Sequence, residues 1–305
     1  MAAKRPLLVC IVGATAIGKT SLAIKIANAF STEILSADSR QFFKEMKIGT
    51  AVPSSEELAA AKHHFIQSKS IFENYSVGDF EREALLKLEQ LFQTHSIVVM
   101  VGGSGLYVDA VVKGLDNFPK IPSEVRKNLN KEIELEGIES LQKELEAVDP
   151  KYFQKVDIDN PHRIIRALEV FRSTGKPYSS FLKKNDTTRN FDTVYIALTA
   201  ERATIYDRIN KRVDIMLEEG LLDEAKKLYP NKDLNALQTV GYRELFQYLE
   251  GTISLAEAIE EIKKNTRRFA KRQGTWFRKN PEIKWFEYDT DPAEIITYIN
   301  EKNAL

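Results

Sequence analysis

Residues 13–20 combine glycines, a lysine and a hydroxyl side chain at a spacing that binds phosphate. They are Gly13, Ala14, Thr15, Ala16, Ile17, Gly18, Lys19 and Thr20. The backbone N–H groups of such a loop surround an anion, and the positive end of the following helix adds to the attraction. In this pattern Lys19 reaches the terminal phosphate and Thr20 holds a magnesium ion. The segment therefore predicts a site for a phosphorylated ligand that binds together with Mg²⁺.

Asp38 is the candidate catalytic base. It follows the short apolar strand pattern at 33–36, about one βα unit after the phosphate-binding loop. The carboxyl ends of parallel strands line one crevice, so we expect Asp38 to face the same cavity as Lys19. A carboxylate in that place can accept a proton from an incoming acceptor. The alternative is an aspartate that only caps a helix or turn.

The next apolar strand pattern, at 96–101, lacks a feature of nucleotide hydrolases. Such enzymes place an acidic residue at the end of a second strand, where it assists the magnesium ion. Here the strand runs into Gly102, Gly103, Ser104 and Gly105. The sequence therefore gives no sign of a carboxylate that assists hydrolysis at this position.

Strands and helices alternate over the first 118 residues and position these side chains. Apolar runs at 7–12, 33–36 and 96–101 predict strands, with helical patterns between them. This order predicts an α/β fold with a P-loop-containing, doubly wound parallel sheet. Between 119 and 189 the strand patterns vanish, and prolines separate helical stretches, which predicts an all-helical insertion domain. A strand pattern at 193–198 resumes the sheet, so residues 1–118 and 190–305 form the predicted core.

Composition limits the class of protein. The 305 residues are 43% hydrophobic, which is enough for a packed interior, and the single cysteine, Cys10, excludes disulfides within the chain and cysteine-rich zinc modules. No signal peptide pattern precedes the first strand, and no apolar run reaches the roughly twenty residues of a membrane span. We therefore expect a cytoplasmic protein with no membrane partner. The absence of an unpartnered heptad seam favours a monomer.

Charge is balanced overall but concentrated near the end of the chain. The protein has 44 basic and 44 acidic residues. Residues 263–279 nevertheless contain eight basic side chains and no acidic one, with apolar positions at helical spacing. A helix with one packed face and a basic remainder can follow a phosphate backbone. A solvated helix that only confers solubility is the alternative.

Several motifs, taken in order, resemble those of the tRNA dimethylallyltransferases, which prenylate an adenosine beside the anticodon. The resemblance runs from the phosphate-binding loop to about Arg278. The segments that carry it are 13–20, Asp38–Ser39, Ile48–Ala51, Gly102–Tyr107, Arg163–Glu169, Arg212–Met216, Val240–Tyr242 and Lys271–Trp276.

The resemblance implies two substrates, dimethylallyl diphosphate and the anticodon stem-loop of a tRNA, with Mg²⁺ as the cofactor. It implies that the loop residues 13–20 and Arg212 bind the diphosphate, with Lys19 and Thr20 as catalytic residues beside the base Asp38. A diphosphate that leaves as a unit needs no activated water, which fits the missing acidic strand end. The residues implied to contact tRNA are Asp38, Ser39, Arg40, Gln41, Ser104, Arg126, His162, Arg163, Ile164, Ile165, Arg166, Thr239, Val240, Gly241, Tyr242, Arg243 and Glu244.

Two departures accompany the resemblance. Phe43 stands where many family members carry tyrosine, so a hydroxyl contact is lost or supplied elsewhere, and the chain has no zinc finger. Three other hypotheses stay open at this point. In the first hypothesis the chain is a small-molecule kinase. In the second it is an enzyme that prenylates free AMP, and in the third it is an RNA-binding protein that uses a nucleotide as a switch.

Overall fold

The central strand of the fold is a continuous apolar run. Strand β1, Leu7–Gly13, is buried along its whole length, as expected for an inner strand of a parallel sheet. The computed structural model describes residues 5–182 and 188–304 of the chain. Five further strands in the described residues complete one parallel sheet in the order β3-β2-β4-β1-β5-β6. They are β2 Ile34–Ser36, β3 His63–His64, β4 Ile97–Val101, β5 Asp192–Thr199 and β6 Lys284–Glu287.

Alternate residues of β1 enter two different cores. Leu7, Val9 and Ile11 belong to the core on one face of the sheet. Leu8, Cys10 and Val12 belong to the core on the other face. Because successive side chains of a strand point to opposite faces, an unbroken apolar strand requires helices on both sides. The predicted doubly wound α/β fold is therefore confirmed.

Thirteen α-helices lie within the described residues. They are α1 Lys19–Ala29, α2 Ser55–Ala60, α3 Val77–Leu91, α4 Gly105–Lys113, α5 Ser123–Glu136, α6 Glu139–Val148, α7 Pro150–Phe153, α8 Pro161–Thr174, α9 Arg202–Glu218, α10 Leu221–Leu228, α11 Tyr242–Leu249, α12 Leu255–Phe277 and α13 Pro292–Ala304. Helix α12 begins with a capping box, in which the Ser254 hydroxyl accepts a hydrogen bond from the Glu257 N–H. None of the helices in the described part of the chain combines the length and apolar character needed to cross a membrane.

The chain divides into two compact units, residues 1–113 with 188–305, and residues 114–187. The sheet belongs to the first unit, and helices α5–α8 belong to the second. Part of the predicted insertion, residues 183–187, lies outside the described residues.

The second unit has its own small core and an ion-pair network. Leu129, Leu141, Leu145 and Leu168 pack together as apolar faces of α5, α6 and α8. Arg172 of α8 forms ion pairs with Glu132 of α5 and Glu144 of α6. Three helices are thus joined by both apolar contact and a shared guanidinium.

We expect Leu8→Ala to destabilise the first unit. Leu8 is fully buried in β1, and deletion of such a side chain typically costs about 2–5 kcal/mol because a cavity remains. Leu86→Ala on α3 is the control, since Leu86 is 61% exposed and should change the free energy of unfolding by less than about 0.5 kcal/mol. Denaturant titration followed by circular dichroism measures both. Equal losses for the two variants would contradict the assigned position of β1.

Candidate active site

The phosphate-binding loop leaves β1 at Gly13 and enters α1 at Lys19. Gly13 has a φ of 135° and Gly18 a φ of 111°, values that favour glycine. A Cβ at Gly13 would also lie 2.9 Å from the Leu198 carbonyl oxygen of β5. The Lys19 Nζ donates a hydrogen bond to the Ala14 carbonyl at 2.6 Å, so the lysine folds over the loop. The loop is therefore closed around the place where an anion would bind.

Helix α9 places positively charged side chains beside this loop. The Arg208 Nε donates to the Ala16 carbonyl at 2.8 Å. Removal from water, followed by repulsion from Arg212, lowers the pKa of Lys19 to about 8, and Asp38 opposes the shift. Burial likewise lowers the pKa of Arg212. An anion bound between these groups would relieve their repulsion.

Asp38 is held at the end of β2 by the start of the following turn. Its Oδ1 accepts hydrogen bonds from the N–H groups of Arg40 at 2.9 Å and Gln41 at 3.4 Å. The adjacent Ala37 N–H donates to the Val101 carbonyl of β4 at 2.7 Å. The aspartate thus forms a turn, as the capping hypothesis stated, and its carboxylate also lies in the cavity that contains Lys19. The two interpretations are compatible.

The glycine-rich segment after β4 allows close contact with β2. A Cβ at Gly102 would lie 2.4 Å from the Ala37 carbonyl oxygen, so only glycine fits there. Ser104 then accepts a hydrogen bond on its Oγ from the Ser39 N–H at 3.1 Å. The end of β4 therefore supports the residues that flank Asp38.

A second loop, residues 46–51, borders the same cavity and is fixed from two sides. The Gln41 Nε2 donates to the Ala51 carbonyl at 2.9 Å. Glu224 of α10 accepts N–H groups of Lys47 at 2.9 Å and Gly49 at 2.9 Å. Glu224 also accepts from the Tyr242 hydroxyl at 2.6 Å. Burial, followed by Glu224, raises the pKa of Tyr242, which keeps this hydroxyl a donor.

These elements enclose a cavity of about 280 Å³. Its polar wall contains Thr15, Ala16, Lys19, Thr20, Ser36, Asp38, Ser39, Arg40, Gln41, Ser104 and Arg212. Its apolar wall comes largely from α9 and α12 and includes Ile209, Val213, Met216, Ile262 and Phe269. A wider cavity of about 910 Å³ shares Lys19, Thr20 and Arg212 with it. A cavity lined by both charged and apolar side chains suits a ligand that has an anionic head and a hydrocarbon tail.

Many of the residues predicted to bind a ligand lie together in this first cavity. Thr239, Val240 and Gly241 border it beside those of the polar wall. Gly18 borders the wider cavity. Gly13, Ala14 and Ile17 are buried, and they shape the loop through their backbone. Phe43 is 5% exposed and packs in the core between Met46 and Ile71, so a hydroxyl at this position would enter an apolar cluster.

Tyr242 and Glu244, two of the residues predicted to contact RNA, have buried side chains. Tyr242 is fully buried, and Glu244 is 3% exposed. Glu244 accepts from the Gly241 N–H at 2.8 Å and from Asn265 Nδ2 at 2.8 Å. Both side chains therefore hold the turn in place, while the neighbouring Arg243 is exposed. A contact of this turn with RNA stays a prediction.

The second unit contains the other predicted RNA contacts. His162 and Arg163 are exposed at the start of α8. Ile164 and Ile165 are buried in the core of the unit, and a contact of this segment with RNA stays a prediction. Arg126 and Arg166 both pair with the carboxylate of Glu169, which is 3% exposed.

Magnesium is compatible with the residues of the first cavity. The described residues contain no group of three or more His, Cys, Asp or Glu side chains that could bind a metal by themselves. Thr20 and Asp38 supply oxygen atoms to the same cavity. Mg²⁺ commonly binds through one or two protein oxygens together with substrate phosphates and water. The His63–His64 pair is a strand of the sheet, in which His64 Nε2 contacts the Glu33 Oε2 at 2.5 Å.

The sequence did not reveal the roles of Gln273 and Glu224, whose hydrogen bonds connect segments far apart in the chain. Gln273 belongs to the Lys271–Trp276 motif, but nothing in the sequence indicates which backbone groups its amide bonds. Glu224 lies on a short amphipathic helix, where an acidic residue is usually a solvated one. Their roles depend on backbone groups far away in the sequence, which no local pattern reveals.

Comparison with known proteins adds independent information. A model of the IPP transferase family matches residues 41–280. The tRNA dimethylallyltransferase of Christiangramia forsetii is 62% identical over 295 residues, which cover 97% of this chain and 98% of the relative. That of Flavobacterium johnsoniae is 60% identical, with 96% and 97% covered.

Solved structures agree with these sequence matches. The full-length tRNA isopentenylpyrophosphate transferase from Bacillus halodurans is 39% identical with a TM-score of 0.73, covering 98% of this chain and 97% of that one. A eukaryotic dimethylallyltransferase acting on tRNA is 27% identical with a TM-score of 0.77, covering 97% and 77%.

Proton uptake should accompany binding of inorganic diphosphate above pH 8. In the free protein the pKa of Lys19 is about 8, and a bound anion favours the ammonium form and so raises this pKa. Affinity should therefore fall as the pH rises above 8. Calorimetry in two buffers of different ionisation enthalpy measures the uptake. In Lys19→Met the proton uptake by the lysine should disappear. Any protons that diphosphate itself releases on binding should still be measured. Identical uptake by both proteins would contradict the shifted pKa.

Proposed function

Because the chain belongs to the IPP transferase family, we propose that it transfers a dimethylallyl group from dimethylallyl diphosphate to tRNA. The acceptor is the exocyclic N6 amine of the adenosine on the 3′ side of the anticodon. The products are N6-(dimethylallyl)adenosine and diphosphate. The observation that carries this proposal is the shared cavity, which is lined by Lys19 of the phosphate-binding loop, by Asp38 and by apolar side chains of α9 and α12.

The donor head group fits the cationic side of the cavity. Backbone N–H groups of the loop, Lys19 and Arg212 supply positive charge where the diphosphate would lie. As the bond between the allylic carbon and the diphosphate oxygen breaks, negative charge grows on that oxygen, and these groups stabilise it. Mg²⁺ held by the Thr20 hydroxyl and the diphosphate would add to the same stabilisation.

The hydrocarbon part of the donor fits the apolar wall. Ile209, Val213 and Met216 of α9 and Phe269 of α12 line that side. Positive character develops on the allylic carbon as diphosphate departs. Apolar side chains keep water away from that carbon, so that the adenine amine rather than water forms the new bond.

Asp38 completes the transfer as the general base. The lone pair of an adenine N6 amine is delocalised into the ring, so the amine becomes a good nucleophile only as it loses a proton. In the proposed step the N6 atom bonds to the allylic carbon, and its proton moves to the Asp38 carboxylate. Arg40 and Gln41 N–H groups hold one oxygen of that carboxylate in place.

Access of the target adenine requires extrusion of the base from the stacked anticodon loop, because Asp38 is half-buried and lines a cavity. Ser39, Arg40 and Gln41 border the same cavity and are positioned to contact an extruded base. We propose that these residues read the base and its neighbours. We propose that the reaction takes place in the cytoplasm.

Helix α12 provides a basic surface for the RNA backbone. Lys264, Arg268, Lys271 and Arg272 are exposed along it. Lysine and arginine on one helix can neutralise successive phosphates and release their counterions. We therefore propose that α12 contacts the tRNA backbone, while Arg126, His162, Arg163 and Arg166 of the second unit supply further contacts.

Asp38→Asn tests the chemical role. The amide keeps an oxygen that can accept the Arg40 N–H but cannot remove a proton, so transfer should fall by at least about 100-fold. Diphosphate affinity should stay close to that of the wild type. Mass spectrometry of nucleosides from tRNA incubated with protein, Mg²⁺ and dimethylallyl diphosphate measures the product. Turnover like that of the wild type would remove Asp38 from the mechanism.

The double variant Lys271→Ala, Arg272→Ala tests the RNA surface. Each lost phosphate contact should reduce the slope of log affinity against log salt by about 1. Binding of tRNA should therefore weaken at low salt, and the KM for dimethylallyl diphosphate should stay unchanged. Filter binding across a salt series measures this. Lys226→Ala, Lys227→Ala on α10 is the matched control, and an equal slope change there would show a nonspecific charge effect.

A further inference from the structure

Gln273 of α12 connects two loops that border the active-site cavity. The residue is 6% exposed. Its Oε1 accepts a hydrogen bond from the Thr15 N–H of the phosphate-binding loop at 2.8 Å. Its Nε2 donates to the Gly103 carbonyl, in the loop after β4, at 3.0 Å. One amide therefore bridges segments that lie far apart in the sequence.

The loop after β4 has a shape that matches the end of α12. A Cβ at Gly103 would lie 2.1 Å from the Gln273 Nε2. A Cβ at Gly105 would lie 2.2 Å from the Trp276 ring. Two glycines thus leave room for two side chains of the same helix. The Gly102–Gly105 segment and the Lys271–Trp276 motif therefore pack directly against each other.

The bridge continues from Gly103 to the candidate base. Ser104 follows Gly103 directly, and its Oγ accepts from the Ser39 N–H at 3.1 Å. Ser39 is the neighbour of Asp38. A short chain of covalent and hydrogen bonds therefore runs from Thr15, through Gln273 and Ser104, to the residue beside Asp38.

We propose that Gln273 is a positioning residue that sets the separation between the diphosphate site and the Asp38 carboxylate. This inference rests on the proposed function. The allylic carbon is anchored through the phosphate-binding loop, and the adenine amine is aligned by Asp38. Attack needs both reactants in a near-attack arrangement. Gln273 touches neither reactant and acts through the two loops, so its loss should slow the bond-forming step rather than weaken binding.

A purely structural role predicts a different outcome. A buried amide that only fills space can be replaced by methionine, which has similar volume and length and restores the packing. Such a role would leave kcat unchanged, and any effect would be confined to thermal stability. The positioning role requires the two hydrogen bonds, which methionine cannot form.

The first test is Gln273→Met, measured as kcat and KM for prenyl transfer to tRNA. A misplacement of about 1 Å can cost roughly 100-fold in rate, so we expect kcat to fall by about 10- to 100-fold. The KM values for tRNA and dimethylallyl diphosphate should stay within about twofold, because neither binding surface changes. Gln90→Met is the control, since it makes the same substitution at an exposed position of α3 and should keep the kcat of the wild type.

The second test displaces the amide without altering it. Gly103→Ala places a methyl group against Gln273 and should lower kcat by a similar factor. In a Gln273→Ala background the new methyl group no longer meets the amide and lies at an ordinary contact distance, 3.6 Å, from the Gly13 carbonyl oxygen, so the two effects should not add. A wild-type kcat in both Gln273→Met and Gly103→Ala would overturn the proposal, and additive losses would do so as well. Absence of product from the wild-type protein would refute the proposed function instead.

Discussion

Positive charge gathered around the phosphate-binding loop is the interaction on which the rest of the structure depends. Lys19, Arg208 and Arg212 approach the loop from α1 and α9, and removal from water lowers the pKa values of Lys19 and Arg212. Charges crowded in this way cost free energy until an anion neutralises them. The sheet and helices must therefore be rigid enough to hold them together, and the continuous apolar β1 with a core on each face provides that rigidity.

The same charges also keep a carboxylate in the site. Asp38 lies near Lys19 and Arg212, and its attraction favours their charged forms. A carboxylate beside departing diphosphate would ordinarily repel it, and under the proposed function the positive charges of Lys19 and Arg212 offset that repulsion. One cluster of charges would then serve both the leaving group and the base, which explains why the donor and acceptor functions share a small cavity.

Much of the fold was predictable because its signals are local. The apolar run of β1, the glycines of residues 13–18 and the helical periodicity of α8 and α12 each determine structure within a few residues. Strand β3 was not predictable from its two histidines, because it is a short edge strand that pairs only with β2. The fold class could still be predicted, because it depends on the alternation of strands and helices and missing one short strand does not change that alternation.

The candidate site was predictable where a motif itself supplies the chemical groups, as at Lys19, Thr20 and Asp38. It was not predictable where hydrogen bonds link distant backbone atoms, as at Gln273 and Glu224. Ile164, Ile165, Tyr242 and Glu244 show another limit, since a motif can be shared because it is buried. Motif membership reports that a residue matters, whereas the direction of its side chain decides whether it touches a ligand.

The two cavities that meet at Lys19 and Thr20 bear on the order in which products leave. The wider cavity is bordered by Lys47, Ser55, Arg208 and Lys211 and does not include Asp38 or Gln41. An anion at the loop therefore has a route to solvent that avoids the space of the modified base. Under the proposed function, diphosphate could therefore leave while the modified RNA is still bound. The two products would have separate openings to solvent, so that the release of one need not wait for the release of the other.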